Sequence, residues 1–188
     1  MGARDFNLTM EIIDTPLAGL KLLQPRVYSD ARGHFLELHN RRDLKNAGFS
    51  AMFVQDNLSF SRRGVLRGLH YQYPAWQGKL VSVISGEIFD VVVDIRRDSP
   101  TFGQWYGIAL SADQATQLYV PPGFAHGFCV TSESAHVLYK VTDYYQPAHE
   151  HTLMWNDPAV GIQWPLLEPL LSAKDIQGKP LRGLVLPA

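Results

Sequence analysis

Residues 79–95 read Lys79-Leu80-Val81-Ser82-Val83-Ile84-Ser85-Gly86-Glu87-Ile88-Phe89-Asp90-Val91-Val92-Val93-Asp94-Ile95. Two short runs rich in Val and Ile are split by one glycine. β-Branched side chains favour extended backbone, and a glycine between two such runs marks a turn. Lys79 to Ser85 and Ile88 to Ile95 therefore read as two strands, the second closed by Asp98-Ser99-Pro100. The pattern continues in both directions. His34 to His39 alternates, and Met52 to Phe60 does so less strictly; Trp105 to Leu110, Gln117 to Val120, Phe124 to Thr131 and His136 to Tyr145 add further strands. Helical patterns are short: Arg41 to Ala47 before Gly48, a turn at Ser111 to Ala115, and a piece near Leu166 to Leu171. Many short strands with regular turns predict an all-β sandwich or barrel, in the first place a double-sheet jelly roll. Such a barrel can hold one small ligand between its sheets.

The 188 residues carry 17 Lys+Arg against 18 Asp+Glu, a formal net charge of -1. That balance argues for neither a nucleic-acid nor an anionic-membrane partner, although local clusters could bind a small anion. At 46% hydrophobic and 19% charged, with no linker, repeat or low-complexity tract, the chain reads as one folded domain over residues 1–188. The single cysteine, Cys129, leaves no disulfide framework within the chain and no cysteine-built zinc site. The opening MGARDFNLTM has no apolar run of signal-peptide length, and every apolar stretch is interrupted before it could span a membrane. The expectation is a cytoplasmic protein.

Polar residues set inside these apolar strands are the informative feature. Gln55, Asp56 and Asn57 stand together; Arg67 and His70 lie in Gly64-Val65-Leu66-Arg67-Gly68-Leu69-His70-Tyr71-Gln72. Lys79 opens one strand, Asp90 interrupts another, His126 sits in Pro121-Pro122-Gly123-Phe124-Ala125-His126-Gly127-Phe128, and Tyr139-Lys140 follow Leu138. Any one of them reads equally as part of a water-facing side. Burying so many without partners is costly, so as a set they read as the polar lining of a barrel lumen. Strict alternation puts Arg67 and His70 on opposite faces; a bend at Gly68 could bring both to one pocket.

Metal-binding cupins, which are small jelly rolls, carry G-x5-H-x-H-x3-4-E-x6-G followed by P-x-G-x2-H. Gly64, His70, Gly86, Pro121, Gly123 and His126 echo both motifs, but Gln72 stands at the second His and Lys79 at the Glu. A lysine cation disfavours a divalent ion there, so no metal and no cofactor is expected. His70 is a candidate general base near neutral pH. Asp175, in Leu171-Ser172-Ala173-Lys174-Asp175, could orient its second nitrogen. Lys79 could offset a developing anion, and the Tyr139 hydroxyl could return a proton. This set fits proton abstraction α to a carbonyl, then reprotonation. Arg32, Arg67 and Lys174 could grip a diphosphate, although Arg32 in Asp30-Ala31-Arg32-Gly33 also reads as a turn residue, and Tyr145 as packing.

These stretches resemble the dTDP-4-dehydrorhamnose 3,5-epimerase family of dTDP-4-keto-6-deoxysugar epimerases. The resemblance runs from Asp30–Glu37 through Gln55-Asp56-Asn57, Gly64–Gln72, Lys79-Leu80-Val81, Ser99–Gly103, Pro121–Phe128, Tyr139–Tyr145 and Trp155–Pro158 to Leu171–Asp175. It implies a metal-free, cupin-type double-stranded β-helix jelly roll with short flanking helices, working as a homodimer on a dTDP-4-keto-6-deoxy sugar. His70 would be the base, Asp175 its partner, Tyr139 the acid on the opposite face of the sugar, and Lys79 the cation at the C4 oxygen. His126, paired with Asp90, would lie beside the sugar. Glu37, Gln55, Asn57, Arg67, Glu150, Lys174 and Arg32 match nucleotide-binding positions, Asp56 falls within a matched motif, and Tyr145 matches the residue that stacks on thymine. Arg32, Phe35 and Glu37 would reach the neighbouring subunit's site by strand exchange. Relatives acting at C3 or C5 alone share this apparatus, so scope stays open, with Tyr73 to Gln77 a place that could shape the ring position. A cupin ketoisomerase, an inactive nucleotide-sugar binding module and a storage cupin are the alternatives. The first fits Lys79 and Tyr139 poorly, the second lacks its expected broken His–Asp–Tyr set, and the third needs no diphosphate-gripping arginines.

Overall fold

A computed structural model describes residues 10–187; most of the opening stretch read above for a leader lies outside them. Among the described residues thirteen strands form in chain order: β1 (Met10–Asp14), β2 (Lys21–Pro25), β3 (Val27–Asp30), β4 (Gly33–Leu36), β5 (Gln55–Arg62), β6 (Leu66–Gln72), β7 (Lys79–Ser85), β8 (Glu87–Asp94), β9 (Trp105–Ser111), β10 (Gln117–Val120), β11 (Phe124–Val130), β12 (Ser134–Val141) and β13 (Glu150–Thr152). Two helices are short, α1 (Arg41–Asn46) and α2 (Ala173–Ile176). A six-stranded sheet runs β1-β2-β10-β7-β12-β5, and a five-stranded sheet runs β13-β6-β11-β8-β9. The two sheets face each other as a cupin-type jelly roll, while β3 and β4 form a separate hairpin.

One packing rule organises the molecule. Successive strand residues point to opposite faces. In β7, Val81 and Val83 enter the core between the sheets, whereas Leu80 faces outward under α1 with Leu44 and Phe49. In β8, Ile88 and Val92 point inward, whereas Val91 and Val93 pack beneath the carboxy-terminal segment with Leu153 and Leu184. The inner core is apolar at one end. At the other end the same inward parity carries Lys79 of β7, Asp90 of β8, His126 of β11 and Tyr139 of β12.

β6 departs from simple alternation. It pairs with β11 as His126↔His70 but Phe128↔Arg67, so β6 holds one extra residue between the two pairs. Such a bulge lets residues three apart share a face. Arg67 and His70 thus meet the same cavity. Glycine is required at the bend: Gly68 has φ +123, and a Cβ there would lie 2.6 Å from Gly127 Cα.

The expected strands at Lys79–Ser85 and Gln117–Val120 form with those bounds, and the helix at Arg41 forms with Asn40 as its N-cap. Leu166 to Leu171 is not helical. Pro169 interrupts it, removing an amide and disfavouring helix at Glu168. The helix starts later, where Ser172 caps α2 and accepts from Asp175 N. The strand from His136 ends at Val141 because Thr142 turns to bond Gly78 through both its amide and its hydroxyl. The strand expected from Met52 begins at Gln55, since Phe53 instead packs on Phe49 and Tyr119.

Asp94 closes the corner between β8 and β9. It is fully buried and accepts from Arg96, Ser99 Oγ (2.6 Å) and Thr101 Oγ1 (2.6 Å). Burial alone would raise its pKa, but these bonds outweigh it and pull the carboxyl down to about 2. A carboxyl depressed on folding adds stability above its unfolded pKa and loses it as pH falls toward its folded value; here the gain is about 2 kcal/mol. Asp94→Asn should therefore destabilise the chain by about 2 kcal/mol at pH 7, in urea unfolding. The gap from wild type should close between pH 4 and pH 2; a gap independent of pH would contradict the account.

Candidate active site

The polar end of the barrel opens into a cavity of about 380 Å³. Its two walls come from different sheets. β6 and β11 supply His70, Arg67 and His126; β7, β12 and β5 supply Lys79, Tyr139, Gln55, Asn57 and Ser59. Tyr145, Glu150 and Lys174 stand at the same cavity.

His70 Nε2 lies 2.6 Å from Asp175 Oδ1. Asp175 is 3% exposed. Burial would raise its carboxyl, but bonds from His70 and Ser172 prevail and lower it, so it is ionised. Ser172 Oγ donates to its other oxygen at 2.7 Å. A carboxylate only accepts, so we assign the imidazole proton to Nε2. Nδ1 of the neutral ring is then the nitrogen able to take a proton. Desolvation lowers the His70 pKa, partly countered by the Asp175 bond, and Lys174 and Lys79 lower it further. The ring is accordingly neutral at pH 7.

Lys79 sits beside it, its ammonium donating to the His70 carbonyl oxygen at 3.0 Å. Burial brings its pKa down to about 8, against the pull of Asp90 and Glu150. It is still mostly a cation at neutral pH. Burial also raises the Tyr139 pKa, so the phenol keeps its proton. His126 Nε2 lies 2.9 Å from Asp90 Oδ2, which satisfies both groups where water is excluded. One neutral imidazole, one buried cation and one protonated phenol thus line a single cavity. Together they can take a proton, hold a developing oxyanion and give a proton back.

The cavity rim carries charge. Lys174 Nζ donates to Glu150 Oε1 and the Tyr145 hydroxyl to Glu150 Oε2, both at 2.7 Å. Arg67 Nε donates to Ser61 Oγ at 2.9 Å, holding the guanidinium across from β6 to the β5 edge. Gln55 Oε1 accepts from Tyr145 N, and Gln55 Nε2 donates to Asn57 Oδ1.

Four residues singled out in the sequence are not brought to this cavity. Asp56 lies on the outward face of β5, one residue out of step with Gln55 and Asn57, and ion-pairs with Lys140 at 2.8 Å. Arg32 and Phe35 lie on the β3–β4 hairpin, with Glu37 directly after it; Arg32 is bonded to Asp30 and Phe35 is 70% exposed. Conversely, Ser59, Gln72 and Gln77 line the cavity and Ser61 and Ser172 brace its residues; the sequence reading names Gln72 only as standing at a metal-ligand position and Gln77 only within the stretch Tyr73 to Gln77, and gives the three serines no role. The inward parity of β5 carries the signal for Ser59 and Ser61, and the Ser-x-x-Asp capping pattern carries it for Ser172.

This arrangement is the polar lumen of a cupin-type jelly roll equipped for proton transfer. A family model described as dTDP-4-dehydrorhamnose 3,5-epimerase matches residues 14–183. A protein of that name from Pseudomonas aeruginosa is 58% identical over 160 residues, covering 84% of this chain and 88% of that protein. One from Neisseria gonorrhoeae is 56% identical over 171 residues, 90% of this chain; the chain spans about half (52%) of that protein's length. The crystal structure of a dTDP-6-deoxy-D-glucose-3,5-epimerase from Legionella pneumophila, in complex with dTDP-4-keto-L-rhamnose, superposes with a TM-score of 0.90 at 49% identity. It covers 94% of this chain and 95% of that one. The chain belongs to the dTDP-4-dehydrorhamnose 3,5-epimerase family of isomerases.

The Asp175 carboxylate favours the imidazolium, so removing its charge must lower the His70 pKa further. NMR titration should place His70 below 6.5 in the wild type and lower still in Asp175→Asn. A rise in Asp175→Asn would refute the assigned pairing.

Proposed function

We propose that the chain epimerises dTDP-4-keto-6-deoxyglucose at C3 and C5, giving dTDP-4-keto-L-rhamnose. The observation that carries this reading is His70 on one sheet, paired with Asp175 of α2, facing Lys79 and Tyr139 on the other sheet across one cavity. C3 and C5 both flank the C4 ketone, so the same carbonyl acidifies both protons. His70 Nδ1 takes the proton from carbon, and the electron pair moves into an enolate whose charge rests on the C4 oxygen. Lys79 stabilises that oxygen. The Tyr139 hydroxyl then protonates carbon from the opposite face, which inverts the centre. Exchange with solvent returns the His70 proton and restores the Tyr139 phenol, and the ring presents the second carbon for the same steps. His126, held by Asp90, lies beside the sugar. Arg67 and Lys174 hold the diphosphate, and Tyr145 offers a face for thymine, with Gln55, Asn57 and Glu150 around it.

The exposed β3–β4 hairpin supports a homodimer in which Arg32, Phe35 and Glu37 complete the partner's site. An exposed Phe35 on a hairpin that pairs with neither sheet is poorly explained in a lone chain. Lys79 also supports chemistry without a metal: its cation occupies the position of a carboxylate ligand in metal cupins. Among the described residues no helix is long and apolar enough to cross a membrane.

Proton NMR of the 4-keto sugar in heavy water tests the chemistry. The wild type should place deuterium at both C3 and C5; exchange at one carbon alone would make the chain a mono-epimerase. His70→Ala should cut turnover by two to four orders of magnitude, roughly the worth of a general base. Tyr139→Phe should still exchange protons while forming little epimer. Near-normal turnover of His70→Ala would end the assignment. Turnover should also survive a chelator; loss restored by one divalent ion would overturn the role given to Lys79.

A further inference from the structure

Gln72 ends β6, lines the cavity and is 3% exposed. Its side chain bonds to two separate backbone segments. Nε2 donates to Ala75 O at 2.9 Å and to Tyr144 O at 3.3 Å, and Oε1 accepts from Gln146 N at 2.7 Å. One amide therefore clasps Tyr145 from both sides along the chain. It also holds the turn after β6, and it sits opposite Glu150, its β13 pairing partner, which receives the Tyr145 hydroxyl.

We propose that Gln72 is a positioning residue for nucleotide recognition: it fixes the segment Tyr144 to Gln146, and through it the Tyr145 ring, at the cavity mouth. The chemistry of the clasp requires an amide. Two carbonyl oxygens need donors and one backbone amide needs an acceptor, and a glutamine side chain supplies both. A carboxylate would face two carbonyls with no proton, and an apolar side chain would take away the partner of all three groups in a partly buried place. Metal-binding cupins use this position for a ligand histidine. Here the same place braces a loop, at the end of β6 from which His70 also projects. The inference rests on the reading of Tyr145 as the surface that receives the thymine.

The test is calorimetric binding of dTDP to the wild type, Gln72→Leu, Tyr145→Ala and the double variant, with steady-state kinetics alongside. Loss of one base–aromatic stack corresponds to about tenfold in affinity. Gln72→Leu and Tyr145→Ala should each raise the Kd about tenfold, and the double variant should be no weaker than the weaker single one, because both remove the same contact. In Gln72→Leu, KM should rise more than kcat falls. Additive losses, or a Gln72→Leu that lowers Tm with Kd unchanged, would overturn the proposal and leave Gln72 a purely structural brace. An unchanged Kd in Tyr145→Ala would instead remove the stacking role itself, and the proposal with it. Gln72→Glu provides a second reading should Gln72→Leu fold poorly. Its carboxyl regains a donor only when protonated, so its affinity for dTDP relative to wild type should improve as pH is lowered. A ratio that does not change with pH would count against the clasp.

Discussion

A polar group carried into the space between two packed sheets must find a partner there. In this molecule that requirement shapes the site. Asp90 is fully buried and is met by His126; Asp175 is met by His70, Ser172 and the Gly68 amide. The second set draws in the carboxy-terminal segment. α2 packs against β6, so the segment that supplies Asp175 also supplies Lys174 to the rim. Ser172, which caps α2 and donates to the second Asp175 oxygen, helps hold the carboxylate toward the imidazole. The proposed catalytic pair and the closure of the barrel's end thus share the same bonds.

Electrostatics at the site follow from the same geometry. Three cationic side chains, Lys79, Lys174 and Arg67, line the cavity. They suit an anionic substrate, and two of them, Lys174 and Lys79, add to burial in pressing His70 toward the neutral form. An imidazole must be unprotonated to act as a base, and cations that suit an anionic substrate help to keep it so. Asp175 opposes this by favouring the imidazolium that forms once the proton is taken. The base is therefore poised between two fields of opposite sign.

Much of the fold was legible in the sequence, and the reason is the sheet's two-residue period. The runs at 79–85 and 88–95 could hardly be anything but buried strands, and their inward positions name Lys79 and Asp90 as lumen residues. The same parity, applied to β5, would have set Asp56 aside from Gln55 and Asn57. The motif it belongs to obscured that step. Other features lay beyond local pattern. β13 is three residues long and forms because it lies against β6. The Arg67–His70 convergence depends on an extra residue at a bulge, which a glycine permits but does not announce. Gln72 looked like the gap left by a missing ligand, because its three backbone partners are separated from one another by as many as 71 positions.

A jelly roll suits inversion chemistry for a geometric reason. Inverting a carbon through a planar enolate needs proton acceptor and donor on opposite faces of one ring. Two sheets packed face to face offer that: a residue projecting inward from one wall necessarily confronts one projecting inward from the other. His70 comes from the five-stranded sheet and Tyr139 from the six-stranded sheet. Lys79, two strand positions from Tyr139 by way of Val81 in the β7–β12 register, occupies the second wall beside the phenol. A single helix face or a single sheet surface could hold a base and an acid side by side, but it could not place them across a ring. The spacing between the sheets therefore suits the roles proposed for these three side chains.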